Sequence, residues 1–412
     1  MLAALRSGSF VTRERMRVYS LLLLVAYVAT IVVLLATARG IVDTAERPIG
    51  TDFANVYAAG KLALAGEPAL AYDWPAHHAV QKRISGRDDI PYYGWHYPPA
   101  FLIIAAALAA LPFLGAFFVY QAATLVAYLV VVRRIAGRPE AWLLALAFPA
   151  VFVNVMHGHN GFITAALLGG ALLLLDRRPL LAGALLGCLA YKPQFGLLVP
   201  LVLAATGRWR VIAAAAATVL AIAALTWALF GADVFVAFWH SLPMTQRVIL
   251  EGAPGFHKIQ SIYAALRQLG APAALANAVQ MTATLGVAAA LVVLWRSAAA
   301  FELKAAALLV GGVLATPYVL DYDLVVLGPA IAFLTAHGLR QGFAPWEVTS
   351  LVVLWVLPLI ARPIAELTAV SPTPIALLAA FALVLQRAGT IRAASELLPQ
   401  RAPQRRGTYM EP

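Results

Sequence analysis

Charge is what this chain has least of. Of its 412 residues only 12% are charged, 62% are hydrophobic, and the mean hydropathy is +0.82. A soluble domain runs nearer a quarter charged, so a water-soluble globular protein is excluded. Acidic residues are scarcer still, 19 against 30 basic, which leaves a net charge of +11. In a soluble chain that excess would point to nucleic acid. Here the 25 arginines sit mostly in short connections between apolar runs, where they carry orientation signal, and no nucleic-acid partner is expected. The only cysteine, Cys188, lies in an apolar run, which excludes a disulfide framework and a thiolate metal site. No internal repeat of fixed period and no separate soluble domain is visible. Only five lysines accompany the arginines in an alanine-rich chain, a composition that points to a bacterial genome rich in G and C.

What is present is a succession of apolar stretches near 20 residues, each able to cross about 30 Å of hydrocarbon as a helix. The expected fold is all-α: a polytopic transmembrane bundle of about 12 spans forming one membrane-embedded domain over 1–397. The first span, Val18–Ala38, follows Arg6, Arg13, Arg15 and Arg17, so the N-terminus is expected in the cytoplasm. The segment 39–98 holds six basic and seven acidic residues, shows no positive bias, and is expected outside. Arginine-bearing loops at 133–138, 177–178, 208–210, 296–304 and 340 are expected inside, which places a second outer loop at 231–274. Two long blocks need internal breaks to satisfy this pattern. Pro112 divides 99–132, and 180–206 folds as two arms meeting at Tyr191-Lys192-Pro193-Gln194. The tail 398–412, rich in Arg, Pro and Gln, is expected to be disordered and cytoplasmic.

On this topology the chemistry-bearing residues crowd the outer side. Asp52 precedes Phe53, Val56, Tyr57 and Gly60 at helical spacing, so it stands at a helix N-terminus. It either caps that helix or accepts a proton from an incoming hydroxyl. Ala71-Tyr72-Asp73-Trp74 combines polar and aromatic residues, as carbohydrate-facing surfaces do. Trp95-His96-Tyr97-Pro98-Pro99 reads as an interfacial anchor before a helix start, or as a set of substrate contacts. In His157-Gly158-His159-Asn160 two histidines lie at i, i+2 with no third ligand nearby, which favours substrate hydrogen bonding over metal. Lys192, between two apolar arms, is an intramembrane cation whose natural partner is an anionic headgroup such as a phosphate; snorkelling is the alternative. Lys258, in the outer segment Glu251–Ser261, offers a second cation. Asp321-Tyr322-Asp323 matches the DXD pattern of metal-dependent nucleotide-sugar transferases, but two aspartates at a helix start read first as caps.

The order of these elements carries a resemblance. TDFANVYAAGKLALAGEPALAYDW, HYPPAFL, HGHNGFITAALL and AGALLGCLAYKPQFGLLVP followed by GRWR resemble glycosyltransferase family 87 over roughly 45–340. These are membrane-embedded enzymes of GT-C type that include polyprenol-phosphate-mannose-dependent α-1,2-mannosyltransferases. Many relatives carry Gly-Gln-Asn where this chain has Gly158-His159-Asn160. The resemblance implies a polyprenyl-phosphate sugar as donor, an outward-facing site and a carboxylate base at the position of Asp52; with the composition, a bacterial inner membrane and a lipid or glycan acceptor are expected. Joined to the residues above, it makes Lys192, Lys258, His96, Tyr97, His159, Asn160 and Gln194 the candidates for binding donor phosphate and sugar. Asp73, Asp321 and Asp323 stand as second-rank carboxylates. No cofactor is expected and a divalent metal is not favoured, because the leaving group brings its own phosphate charge. A transporter or flippase of lipid-linked sugars, and a non-catalytic lipid-binding scaffold, are the competing classes.

Overall fold

The structure, a computed structural model, describes residues 1–389. The tail 398–412 lies outside the described residues. Helices and their connections make up all of the fold, with no strand among the described residues. Six helices are long and apolar enough to cross a membrane: Arg13–Thr37, Phe113–Ala136, Trp209–Phe230, Ala273–Arg296, Asp321–Gln341 and Glu347–Thr368. Five shorter apolar helices of 10–17 residues accompany them. This is an integral membrane protein. The shorter helices are where the reading of the chain by apolar length departs from the observed path.

Proline explains most of the breaks. Pro112 occupies the N-cap of Phe113–Ala136, so the long block divides there into Leu102–Ala109 and a full-length helix. The block 141–156, by contrast, is not one helix. Pro149 has no N–H to donate and holds Phe148 at an extended ψ of 121°, so Ala141–Leu146 ends and Pro149–His157 begins. The arms around Lys192 unwind further, into 3-10 turns at Cys188–Tyr191 and Pro193–Gly196 before Val199–Ala205. The segment 231–274, expected as an outer loop, is not an open loop either. It contains the 19-residue helix Asp233–Glu251, which tolerates an internal Pro243.

Small residues let the helices approach closely. Gly183 and Gly187, four apart on Pro179–Gly187, lie against the backbone of Val211 and Ala215 and the side chains of Ala214 and Thr218. A Cβ at either glycine would overlap Trp209–Phe230, so this GxxxG face is what allows the contact. Gly60 does the same for Phe53–Leu64, resting on the Ala105 carbonyl. At the centre lies Asp321–Gln341, of which 83% of the most apolar window is buried inside the protein. Four interruptions meet at the N-terminal end of that central helix: 50–52, 157–161, 188–198 and 316–326.

Candidate active site

Asp52 reaches the site through a tight entry. Gly50, at φ +63°, packs on Phe117, and the Asp52 N–H donates to the His157 carbonyl at 2.9 Å. Asp52 then takes the N-cap position of Phe53–Leu64, but its side chain makes no capping hydrogen bond. The carboxylate faces His157 instead, with Oδ2 3.7 Å from Nδ1, while the Thr51 hydroxyl lies 3.2 Å from the same nitrogen. On the other edge of the ring, Nε2 stands 3.9 Å from Asp321 Oδ1, and Asp321 Oδ2 accepts from Arg362 Nη1 at 3.2 Å. The two histidine–carboxylate separations are too long for direct hydrogen bonds and become ion pairs only when the imidazole carries a proton. The result is a row of alternating groups, Asp52, His157, Asp321, Arg362. Burial raises the Asp52 pKa; His157 opposes that, Asp321 adds to it, and the charges of Lys258 and Lys192 lower it.

Beside this row lies a more deeply buried group. Lys192 Nζ donates to Asp323 Oδ1 at 2.6 Å, and the two residues are only 5% and 3% exposed. Asp323 Oδ2 reaches back to the Leu320 N–H at 3.1 Å, so the aspartate caps its turn and pairs with the lysine at once. The lysine was expected as a cation awaiting a phosphate and the aspartate as a plain cap; the fold joins them. The ammonium also sits 5.5 Å from the Tyr322 ring centre. Tyr322 stacks on His159 with centroids 3.6 Å apart. The Tyr97 hydroxyl lies 2.9 Å from His159 Nε2.

The turn 157–161 is held by its backbone and leaves side chains unspent. Gly158, at φ +65°, ends Pro149–His157 in the left-handed region and carries the chain between His157 and His159. Asn154 donates to the His159 carbonyl at 3.1 Å and accepts from the Gly161 N–H at 2.8 Å. His159 Nδ1 and both amide atoms of Asn160 are buried without a hydrogen-bond partner among the described residues. Buried polar atoms of this kind are costly unless something satisfies them, so they are natural contacts for a polar ligand.

Other candidates fall elsewhere or only nearby. Lys258 is half-buried on the segment that the Gln260 N–H ties to the Val319 carbonyl at 2.7 Å, which keeps it beside the Asp321 turn. Gln194 gives its main-chain carbonyl to Thr316 at 3.3 Å. Asp73 is a helix cap, accepting from the Ala76 N–H at 2.9 Å. His96 meets Thr245 at 3.0 Å and the edge of Trp74, and burial lowers its pKa to about 4, so it is neutral at physiological pH. Asp73 and His96 therefore do not join the Asp52 row. Arg362, which does, was not singled out from the sequence. Its signal was there: an arginine inside an apolar helix, between Pro358 and Pro363. Among the described residues no group of three or more His, Cys, Asp or Glu is arranged to hold a metal ion.

A membrane-embedded helical protein with a carboxylate, histidine and cation cluster at the broken end of its bundle is the class these features define. The sequence model of glycosyltransferase family 87 matches residues 95–317, more than half of the chain, and the chain belongs to that family. It is a membrane glycosyltransferase. No curated protein and no solved structure matches it. The matched stretch contains His157, His159, Asn160, Lys192 and Lys258; Asp52, Asp321, Asp323 and Arg362 lie outside it.

Proposed function

We propose that this glycosyltransferase moves a hexose, with mannose favoured, from a polyprenyl-phosphate sugar to a lipid or glycan acceptor on the extracytoplasmic face. In this reading the bundle is of GT-C type with about 12 crossings, counting the short broken helices. It is a single domain in a bacterial inner membrane with both termini in the cytoplasm. The observation that carries the mechanism is the Asp52 carboxylate, which occupies a cap position without capping and stands 3.7 Å from His157.

Asp52 accepts the proton of the acceptor hydroxyl as its oxygen bonds to the anomeric carbon. The bond from that carbon to the phosphate oxygen breaks on the opposite face, so configuration inverts and polyprenyl phosphate departs with the electron pair. Its charge is met by cations already in place. Arg362 ends the row, Lys258 stands near it, and the Lys192 ammonium has two N–H donors left after Asp323 takes one. Basic side chains can therefore carry the leaving phosphate, and no divalent metal is invoked. His159 and Asn160, with their unspent polar atoms, are placed to read the sugar hydroxyls.

The test is a donor screen with purified full-length protein and defined polyprenyl-phosphate hexoses, following sugar transfer and the anomeric configuration of the product. Inverted product from one donor supports the reading. Movement of lipid-linked sugar across proteoliposomes, with no transfer or hydrolysis of any donor, would replace it with a flippase.

A further inference from the structure

A cavity of about 750 Å³, which none of the residues of the Asp52 row lines, lies between the segment 69–78, Tyr92 and the helix Asp233–Glu251. That volume is in the range of small-molecule sites, about 300–1,000 Å³. Three aromatic rings form one side: Tyr72, Trp74 and Tyr92, with Trp74 and Tyr92 tilted at 41° and 5.1 Å apart. His78, His240 and Ser241 supply polar edges around them. Among the described residues the only formal charge in the lining is Asp73, and no lysine or arginine contributes.

That composition selects a ligand chemistry. A phosphate would find no cation and one carboxylate, which disfavours the lipid-phosphate donor here. An acyl chain would leave Asp73 and the histidines facing hydrocarbon. A neutral sugar chain suits both halves, since a pyranose presents C–H bonds to aromatic faces and hydroxyls to polar edges. The groove is also mechanically continuous with the site. The Tyr72 hydroxyl donates to the Tyr97 carbonyl at 2.9 Å, and the hydroxyl of that same Tyr97 meets His159. Residues 92–97 are thus a shared wall, with Tyr92 on the groove and Tyr97 in the cluster.

We propose that this groove binds a neutral oligosaccharide, the glycan portion of the acceptor, and holds it beside the Asp52 cluster. The acceptor role rests on the glycosyl-transfer reading above; the binding of sugar does not. The groove would explain how an enzyme with one buried chemical centre selects an extended acceptor, because affinity would come from sugar units remote from the reacting hydroxyl.

The experiment is saturation-transfer NMR on the full chain in detergent, with maltotriose, mannotriose and cellotriose as probes. One trisaccharide should receive saturation from the wild type and equally from Asp52→Asn. Ser241→Trp, which fills the groove from the helix side, and Trp74→Ala, which removes a ring, should each weaken that contact about tenfold. Ser241 bonds only its own helix, to the Phe238 carbonyl at 2.7 Å, so its replacement spares the packing that Trp74→Ala disturbs. The proposal is overturned if no trisaccharide contacts the folded wild type, or if contact survives in a folded Ser241→Trp protein. A failed donor screen with sugar binding intact would remove the transfer reading alone; normal transfer with no sugar binding would remove the groove alone.

Discussion

Replacing Asp52 with asparagine separates a base from a structural carboxylate, because the fold gives Asp52 so little structural work. Its side chain makes no capping hydrogen bond, and its closest charge contact is His157 at 3.7 Å. With the Asp52 side chain 23% exposed, that contact is screened and contributes at most about 1 kcal/mol. Linkage works in the opposite direction. Burial raises the folded-state pKa above the unfolded value, so folding disfavours the ionised carboxyl. Stability is fullest below the unfolded pKa, falls as pH rises toward the folded pKa, and stays reduced above it. At pH 7 an asparagine, always neutral, avoids that cost. The two effects oppose each other, so a folded Asp52→Asn protein is expected, with a melting transition close to that of the wild type.

Catalysis should behave very differently. An amide cannot accept the acceptor's proton, and loss of a positioned base costs about 10²–10⁴-fold in rate. Asp52→Asn should lower kcat by that factor at unchanged donor KM, measured at matched amounts of folded protein. The wild-type rate should also fall on the acid side at a pH above the ordinary aspartate value of about 3.9, since burial raises this group. Near-normal turnover by a folded Asp52→Asn protein, with the same acid limb as wild type, would refute the assignment. If Asp321→Asn or Asp323→Asn then proved inactive, the base would belong to the turn at 321–323.

Lys192→Met should destabilise the protein by about 3–5 kcal/mol, because Asp323 would remain buried without its partner. Adding Asp323→Leu should restore a monodisperse peak in detergent chromatography without restoring transfer; a single variant as stable as wild type would contradict this. His77 is buried, its Nε2 lies 2.9 Å from the Asn55 carbonyl, and its pKa is pushed down to about 4. Stability should therefore be full above the unfolded value of about 6.5 and lost by roughly 3 kcal/mol as pH falls toward 4. Thermal melts across that window should show the loss, and His77→Gln should reduce it, leaving the part that the buried His96 contributes over the same range. In a Cys188→Ala background, a membrane-impermeant maleimide should label Asp88→Cys on intact cells and Arg340→Cys only after permeabilisation. Labelling of both from one side would end the proposed topology.

Legibility in the sequence followed the range of the interaction. The helix after Asp52 was readable because Phe53, Val56, Tyr57 and Gly60 repeat at local spacing, and the break at Pro112 because proline acts on its own neighbours. The Lys192–Asp323 pair spans 131 positions, so nothing local in KPQF or in DYD announces it. Each half has an adequate separate explanation, phosphate ligand or helix cap, and only the fold shows that they meet. Arg362 was hidden in another way: its contribution to an apolar run is one residue among many, and its meaning depends on Asp321 lying across from it. The close approach at Gly183 and Gly187 was written in the chain as GxxxG, yet four-residue spacing does not say which helix it will face.

The parts hardest to count are also the parts that hold the chemistry, and one physical cause accounts for both. Apolar length identifies a span when a helix runs unbroken, as Arg13–Thr37 does. It fails at Phe148-Pro149, where the chain stays hydrophobic while its helix stops, and it miscounts around 188–198 and 316–320, where short polar or proline-bearing segments break the helices inside apolar surroundings. A helix that stops within an apolar environment leaves N–H and C=O groups unpaired, which lipid cannot satisfy. Such breaks survive only where protein or a polar cavity takes up those groups. Here the Asn154 amide serves the 157–161 turn, the Thr316 hydroxyl serves Gln194, and the Asp323 carboxylate serves Leu320. Polar residues must therefore gather wherever the bundle is interrupted, and the same gathering supplies the carboxylates, histidines and cations of the candidate site. In this chain the candidate site lies where short polar segments, HGHN, YKPQ and DYD, interrupt the apolar runs of the bundle.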